Sequence, residues 1–385
     1  MFDQLLPNAS LRATAPGRVN LLGEHVDYND GAVLPAAIDR AVHLVADRQT
    51  GRLAEIWAID LKQSIVLDLD RLDSKQDAAG KTLPHWALYP AGVAWAFQQA
   101  GFETPGIKAA FTSNVPIGSG LSSSAAVEVA FAAVWRELGG AAIDNLTLAK
   151  ISQKAENLYV GVNSGLMDQF ASANGVAGHA VYFNTRTLAF EPVPIPNGAV
   201  IVIADSKVRR SLTSSAYNER RAACEEAVRL LAPALPHLRA LCDITPAELA
   251  LHAHLLPDII HKRACHVVEE CARVEEAVKL LKAGDAVAFG KIMVAGHISL
   301  RDLYEVSVAE LDALVEIALE QPGCYGARLT GAGFGGCTVN LVAEDHAADF
   351  ITSLMEGYTR RSGRQADVYL CRASQGVTLE VRGNP

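Results

Sequence analysis

The sequence predicts an α+β protein built of two domains. Its 385 residues exceed what one compact core organises, since single cores stop growing at about 250–300 residues. Half of the residues are hydrophobic and a fifth are charged, the balance of a well-packed globular chain rather than a disordered one. Strand signals gather in the first half, and helical spacing takes over from residue 217 onward. No linker marks the join. A boundary near residue 200 divides an N-terminal domain, 1–200, from a C-terminal domain, 201–385.

In chain order, 41–46 and 65–69 read as strands and the Gly/Asp/Lys-rich stretch 73–81 as a loop. From 85 to 100 the apolar spacing is helical, closed by Gly101. Residues 107–111 form a strand candidate running into the loop 112–120. Residues 122–138 are a strong helix ended by Gly139 and Gly140, and 146–160 a second one running into a glycine-rich turn at 161–165. The β-branched run AVIVIA, 199–204, reads as a buried strand, followed by the polar loop DSKVRRSLTSS. Helical spacing then covers 217–231, 263–282, 284–303 and 308–320. Strand candidates at 326–329 and 337–342, a helix at 346–360, and strands at 367–371 and 377–381 complete the chain.

The formal charge of -9, with no lysine- or arginine-rich run to offset it, argues against general binding to nucleic acid or anionic membranes. Seven cysteines are scattered without a CxxC pair, so neither a disulfide framework nor a zinc site is favoured. The start, MFDQLLPNAS, lacks the charged and apolar regions of a secretion signal. No stretch approaches the ~20 apolar residues that span a bilayer. The expectation is a cytoplasmic, reduced protein, in which the Asn-x-Ser/Thr triplets at Asn8 and Asn145 are chance matches.

Three segments concentrate chemistry. Residues 15–31, APGRVNLLGEHVDYNDG, crowd Arg18, Glu24, His25, Asp27 and Asn29 around an apolar run and three glycines. Polar groups packed around a chain reversal suit a pocket that hydrogen-bonds a polyhydroxylated molecule. Residues 116–126, PIGSGLSSSAA, stand directly before a helix. Glycines there let backbone amides approach a ligand, and the serines are expected to cap the first helical turn. Such a helix start is an anion site, most naturally for phosphates. It is not a Walker A loop, for no Gly-Lys-Ser/Thr occurs, and the glycine spacing does not fit a Rossmann motif. Residues 329–337, LTGAGFGGC, place four glycines in six positions between two strand candidates.

In the order GRVNLLGEH, GSGLSSSAA and LTGAGFGG, these motifs resemble the three motifs of the GHMP small-molecule kinases, which include galactokinase, homoserine kinase, mevalonate kinase and phosphomevalonate kinase. The resemblance spans essentially the whole chain. GRVNLLGEHVDYNDG is similar to the sugar-binding signature of the galactokinases. Mevalonate and homoserine kinases share the serine loop but not that signature. Gly165-Leu-Met-Asp-Gln-Phe170, the segment AYNERRAACEE around Tyr217, and 299–306 (SLRDLYEV) are further galactokinase-like stretches.

The resemblance implies the GHMP fold: an N-terminal α/β domain like domain 2 of ribosomal protein S5, a ferredoxin-like C-terminal domain, and a site in the cleft between them. It implies ATP-dependent phosphorylation of the anomeric hydroxyl of galactose, with ATP and Mg²⁺ as cofactors. Phosphate contacts fall on Gly118, Ser119, Gly120, Leu121, Ser122, Ser123, Ser124 and Ala125, with Trp86 as an adenine-side aromatic or a core residue. Ser124 and Glu156 are the implied Mg²⁺ ligands. Asp168 faces the sugar C1 hydroxyl, as general base or as an orienting charge, with Arg18 beside it. Glu24, His25, Asp27, Gly165 and Tyr217 are the implied sugar contacts. A monomer or weak dimer is expected, with no nucleic-acid or membrane partner.

Ser164 stands where many galactokinases carry cysteine, Val26 where threonine is usual, and ADSKVRRSL where a TNS-like segment is common. These departures neighbour the site and bear on substrate breadth. Two other readings are a kinase for another C1-hydroxyl sugar (N-acetylgalactosamine, arabinose or a uronic acid) and a non-catalytic galactose sensor. Sensors of that sort resemble galactokinases with a shortened serine loop. Here GLSSSAAVEVA is complete, which favours catalysis.

Overall fold

In the computed structural model, residues 2–116, 118–209 and 213–382 are described. Ile117 of the serine loop and Arg210, Ser211 and Leu212 of the polar loop lie outside them. The described strands form three sheets. The largest runs, edge to edge, Thr378–Val381, Leu11–Asn20, Pro35–Arg48, Ile107–Ser113, Leu53–Ala58 and Gln63–Asp68. All its pairings are antiparallel except Leu53–Ala58 with Ile107–Ser113. The last described strand therefore returns to pair with the first long one. Helices His85–Gln99, Ser123–Leu138, Asn145–Lys154 and Met167–Asn174 build the main core with this sheet. Ser123–Leu138 is buried on nearly every side because its AAVEVAFAAVW run is apolar on every face but for Glu128.

The second sheet places Ala199–Asp205 between Cys337–Ala343 and Asp367–Cys371, with Cys324–Thr330 outermost. Every pairing is antiparallel. The order, with the first and third strands central, is the ferredoxin-like arrangement. AVIVIAD suits the centre because β-branched side chains pack well on both faces of a buried strand. Helices Ala309–Leu319 and Ala347–Ser362 pack one apolar cluster against it. A separate cluster joins Val19, Leu21 and Leu22 of the first motif to Val274, Phe289, Met293 and Leu341, so the two sheets share a core at the site.

Three local points differ from the sequence reading. Residues 11–20, which the sequence left without an assigned element, form a strand that leads into the reversal and is bulged between Pro16 and Arg18. The helix expected over 146–160 is α-helical only through Asn145–Lys154, then widens into a π-helix at Ala155–Val160. The sulfurs of Cys242 and Cys271 stand 2.07 Å apart, a bonded pair that their spacing did not suggest. Among the described residues, no helix is long and apolar enough to cross a membrane.

Candidate active site

The first motif does two local jobs in succession. Strand Leu11–Asn20 carries Arg18 at its end, and the chain then turns through Leu21–Gly31. Gly23 (φ 95°) and His25 (φ 65°) adopt left-handed backbone there. Asn29 Nδ2 ties the turn by donating to the His25 carbonyl at 2.9 Å. His266, from helix Asp258–Lys282, lies 3.2 Å from the Glu24 carbonyl through Nε2.

Around this turn opens a cavity of about 500 Å³, lined among others by Arg18, Glu24, His25, Asp27, Gly165, Asp168 and Tyr217. These seven come from three separate segments, and all were expected at the site. Arg18 Nε donates to Asp168 Oδ1 at 2.8 Å, and its Nη2 stands 2.6 Å from the same oxygen. The Ser122 hydroxyl donates to Asp168 Oδ2. Arg18 is enclosed while the Asp168 side chain keeps 26% of its surface, so the carboxylate and not the guanidinium faces the cavity most openly. Gly165 packs directly on Asp27: a Cβ added there would meet Asp27 Oδ2 at 2.0 Å. Burial, helped by the neighbouring Asp168 charge, pushes Asp27 up to about 6.

His25 is held neutral, because burial lowers it to about 4. Its Nε2 lies 3.2 Å from the Ala332 carbonyl, which requires a donor, so Nδ1 accepts from the Tyr28 hydroxyl at 2.8 Å. Tyr28 stands 2.7 Å from the Tyr304 hydroxyl. Both ring nitrogens of His25 are thus taken by protein groups. The ring packs 5.5 Å from that of Tyr217, whose phenol burial pushes well above its ordinary range.

The serine loop packs backbone to backbone against the third glycine motif. Virtual Cβ atoms on Gly331 and Gly336 would lie 3.7 Å from the Gly120 carbonyl and 3.3 Å from the Ser119 carbonyl. Arg18 donates from Nη1 to the Gly120 carbonyl and from its backbone N–H to that of Leu121. Contrary to expectation, Ser122, at the N-cap with φ 57°, makes no side-chain cap bond. Its hydroxyl is drawn to Asp168, and that of Ser124 donates to Glu156 Oε1 at 3.3 Å. The first-turn amides are accordingly left to another acceptor, as an anion site requires.

Glu156 sits in the π-helical turn, a widening that often marks functional positions. It accepts from Ser124, Ser164 and Gln169 Nε2, the last at 2.8 Å. Burial first, then the Asp168 charge, raises its carboxyl. Gln169 also donates to Glu128 Oε2 at 2.9 Å, and Glu128 Oε1 is buried without a partner. Glu128 and Gln169 were not anticipated, although Glu128 lies four residues after Ser124 on the same helix face. Among the described residues no trio of His, Cys, Asp or Glu is placed to hold a metal. The hard oxygens of Ser124 and Glu156, beside a helix start, nonetheless suit Mg²⁺, which takes one or two protein ligands and fills the rest with water and phosphate.

Trp86 lies half-buried outside this cavity, donating to Gln63 Oε1 at 2.6 Å with its ring 6.0 Å from Phe111. Of the departures, Val26 is core and Ser164 donates to Glu156. Arg209 forks onto Asp205 at 2.9 and 2.6 Å, its Nε beside Gly118.

A three-sheet fold with a glycine-serine loop at a helix start, an Arg–Asp pair beside it and a polar cavity defines a GHMP-type small-molecule kinase. The GHMP kinase N-terminal domain matches residues 89–176, the GHMP kinase C-terminal domain 277–357, and the galactokinase galactose-binding signature 2–48. The chain belongs to the galactokinase family. It is 45% identical to a galactokinase of Chloroflexus aurantiacus over 98% of this chain and 95% of that one. It is 38% identical to a galactokinase of Bacillus subtilis, covering 96% and 94%. The crystal structure of Lactococcus lactis galactokinase complexed with galactose superposes with a TM-score of 0.91 at 35% identity, covering 98% and 97% of the two chains. Methanococcus jannaschii mevalonate kinase shares the fold, with a TM-score of 0.67 at 18% identity over 96% and 99%.

Proposed function

We infer that this chain is an ATP-dependent kinase of D-galactose, transferring the γ-phosphoryl group to the anomeric C1 hydroxyl to give α-D-galactose 1-phosphate. The observation that carries this reading is the Arg18–Asp168–Ser122 junction, which joins the phosphate loop to the sugar cavity through one carboxylate. The galactose-binding signature matched over residues 2–48 supports the choice of sugar.

Asp168 accepts the proton of the C1 hydroxyl as that oxygen attacks, and Arg18 fixes the carboxylate while offsetting charge on the transferring group. Glu24 and Asp27 accept hydrogen bonds from sugar hydroxyls, each carboxylate in a fixed direction. With its ring nitrogens engaged, His25 shapes the cavity through its left-handed backbone and its packing on Tyr217. Amides of Gly118–Ala125 receive the phosphates, and Trp86 offers its ring to adenine. Ser124 and Glu156 would hold Mg²⁺, which supplies charge neutralisation at the phosphates.

A coupled ADP-release assay over a panel of aldoses checks the reading: turnover is expected with galactose and slower with N-acetylgalactosamine, arabinose and galacturonate. No turnover of galactose would overturn it. Gly165→Ala is expected to raise the galactose KM about 10- to 100-fold, because displacing Asp27 forfeits a charged hydrogen bond of about 1.5–3 kcal/mol. The ATP KM, read in the same assay, should stay near normal.

A further inference from the structure

Glu24 reaches the cavity from a site that is almost wholly enclosed, 3% exposed. Its Oε1 accepts from the Gly331 N–H at 3.1 Å and lies 3.1 Å from the Thr330 hydroxyl. Its Oε2 stands 2.5 Å from Arg328 Nη2. Arg328 belongs to strand Cys324–Thr330 and has no exposed surface. Its Nη1 donates to the Leu21 carbonyl at 2.9 Å and lies 3.4 Å from Glu270 Oε1. Glu270, equally enclosed on helix Asp258–Lys282, accepts from the Gly23 N–H at 2.9 Å and from Arg273 Nε at 2.7 Å. Two carboxylates and two guanidiniums thus alternate, and between them they grip Leu21, Gly23 and Glu24 of the sugar turn. Neither Arg328 nor Glu270 lines the cavity.

We propose that Arg328 is a positioning residue that fixes the Glu24 carboxylate in the sugar site and thereby sets how sharply that site discriminates among sugars. The inference rests on the reading of Glu24 as a sugar ligand. A guanidinium is suited to this task because its rigid fork addresses the Leu21 carbonyl, Glu24 and Glu270 at once, whereas an ammonium is a single point of charge. A carboxylate that cannot turn leaves its lone pairs unmatched when an epimer moves a hydroxyl, and unmatched buried polar groups are what reject a wrong substrate.

Arg328→Lys is expected to raise the galactose KM at least tenfold while leaving the ATP KM within twofold. Glu24→Gln should raise the galactose KM comparably, and the double variant should be no worse than Glu24→Gln alone, since Arg328 bears on the sugar through Glu24. A folded Arg328→Lys enzyme with galactose KM within twofold of normal, beside an impaired Glu24→Gln, overturns the inference alone. So does a double variant whose effects multiply. An unimpaired Glu24→Gln overturns the sugar-ligand reading itself, and the inference with it.

Should Arg328→Lys not fold, Glu270→Gln supplies the decision. Burial pushes Glu24 up to about 7; Arg328 opposes this and the Glu270 charge adds to it. The other charged or titratable groups around this turn are Arg273 and His266 on the helix of Glu270, His25 beside Glu24, and Arg220, which donates to the Tyr304 carbonyl; His297, which accepts from the Leu329 N–H and pairs with Asp312, lies behind the Arg328 strand. Burial holds His25 and His266 neutral, at about 4 and about 3. Removing the Glu270 charge leaves Arg328 to Glu24 alone, so the pH below which galactose KM climbs should fall by about one unit. An unmoved profile overturns the inference.

Discussion

Asp168→Ala is expected to lower kcat for galactose by about 10³-fold, the middle of the range ascribed to a positioned proton acceptor. The carboxylate receives two contacts from Arg18 on one oxygen and the Ser122 hydroxyl on the other, yet keeps a quarter of its surface open to the cavity. Among the described residues, nothing else on that wall pairs an open carboxylate with the phosphate loop. Truncation also strands an enclosed guanidinium, so a stability cost accompanies the loss, and an unfolding curve must be recorded with the kinetics. Asp168→Asn separates the effects. It keeps the side chain's shape and one acceptor for Arg18, so galactose binding by titration calorimetry should persist within a few-fold while single-turnover phosphorylation falls nearly as far as in Asp168→Ala. Near-normal turnover by Asp168→Ala would remove the proton-acceptor role and leave orientation by charge to Arg18 and the serine loop.

How much of this could be read beforehand depends on whether the responsible interaction is local. The β-branched run at 199–204 and the apolar periodicity at 85–100 and 122–138 emerged where period and composition placed them. Strand Leu11–Asn20 did not, because Pro16 and Gly17 sit at its bulge and its second half is buried on both faces, which removes alternation. Ser122 is the N-cap by every local rule, but its hydroxyl goes to Asp168, a partner 46 residues on that no capping pattern encodes. For His25, sequence supplied the residue and not its partners; only the fold brings the Ala332 carbonyl and Tyr28 to its two nitrogens. Arg328 was missed altogether. A lone arginine in a short strand ordinarily reads as a solvated edge, and its bond to the Leu21 carbonyl spans 307 residues. The signal available was an arginine set directly against LTGAGFGG in a strand otherwise without charge.

That same arginine carries the largest expected stability effect. Arg328→Met should destabilise the folded chain by about 3–5 kcal/mol, because it removes the one cation between two enclosed carboxylates and leaves Glu24 uncompensated. Glu270 keeps Arg273, which is why the cost falls mainly on the Glu24 side. Set against a usual net stability of about 5–15 kcal/mol, such a loss is a large share of the whole. The triple variant Glu24→Gln/Glu270→Gln/Arg328→Met should recover most of it, since exchanging an entire buried charge set for neutral groups of similar size is often close to neutral. Arg273 can then fall back on Glu269, 3.2 Å away and partly solvated. Urea unfolding followed by tryptophan fluorescence reads both outcomes. If the triple variant is as unstable as Arg328→Met, packing of the arginine stem rather than charge compensation holds this turn. If it recovers stability yet binds no galactose, the charges serve to place Glu24, at little net gain to the fold.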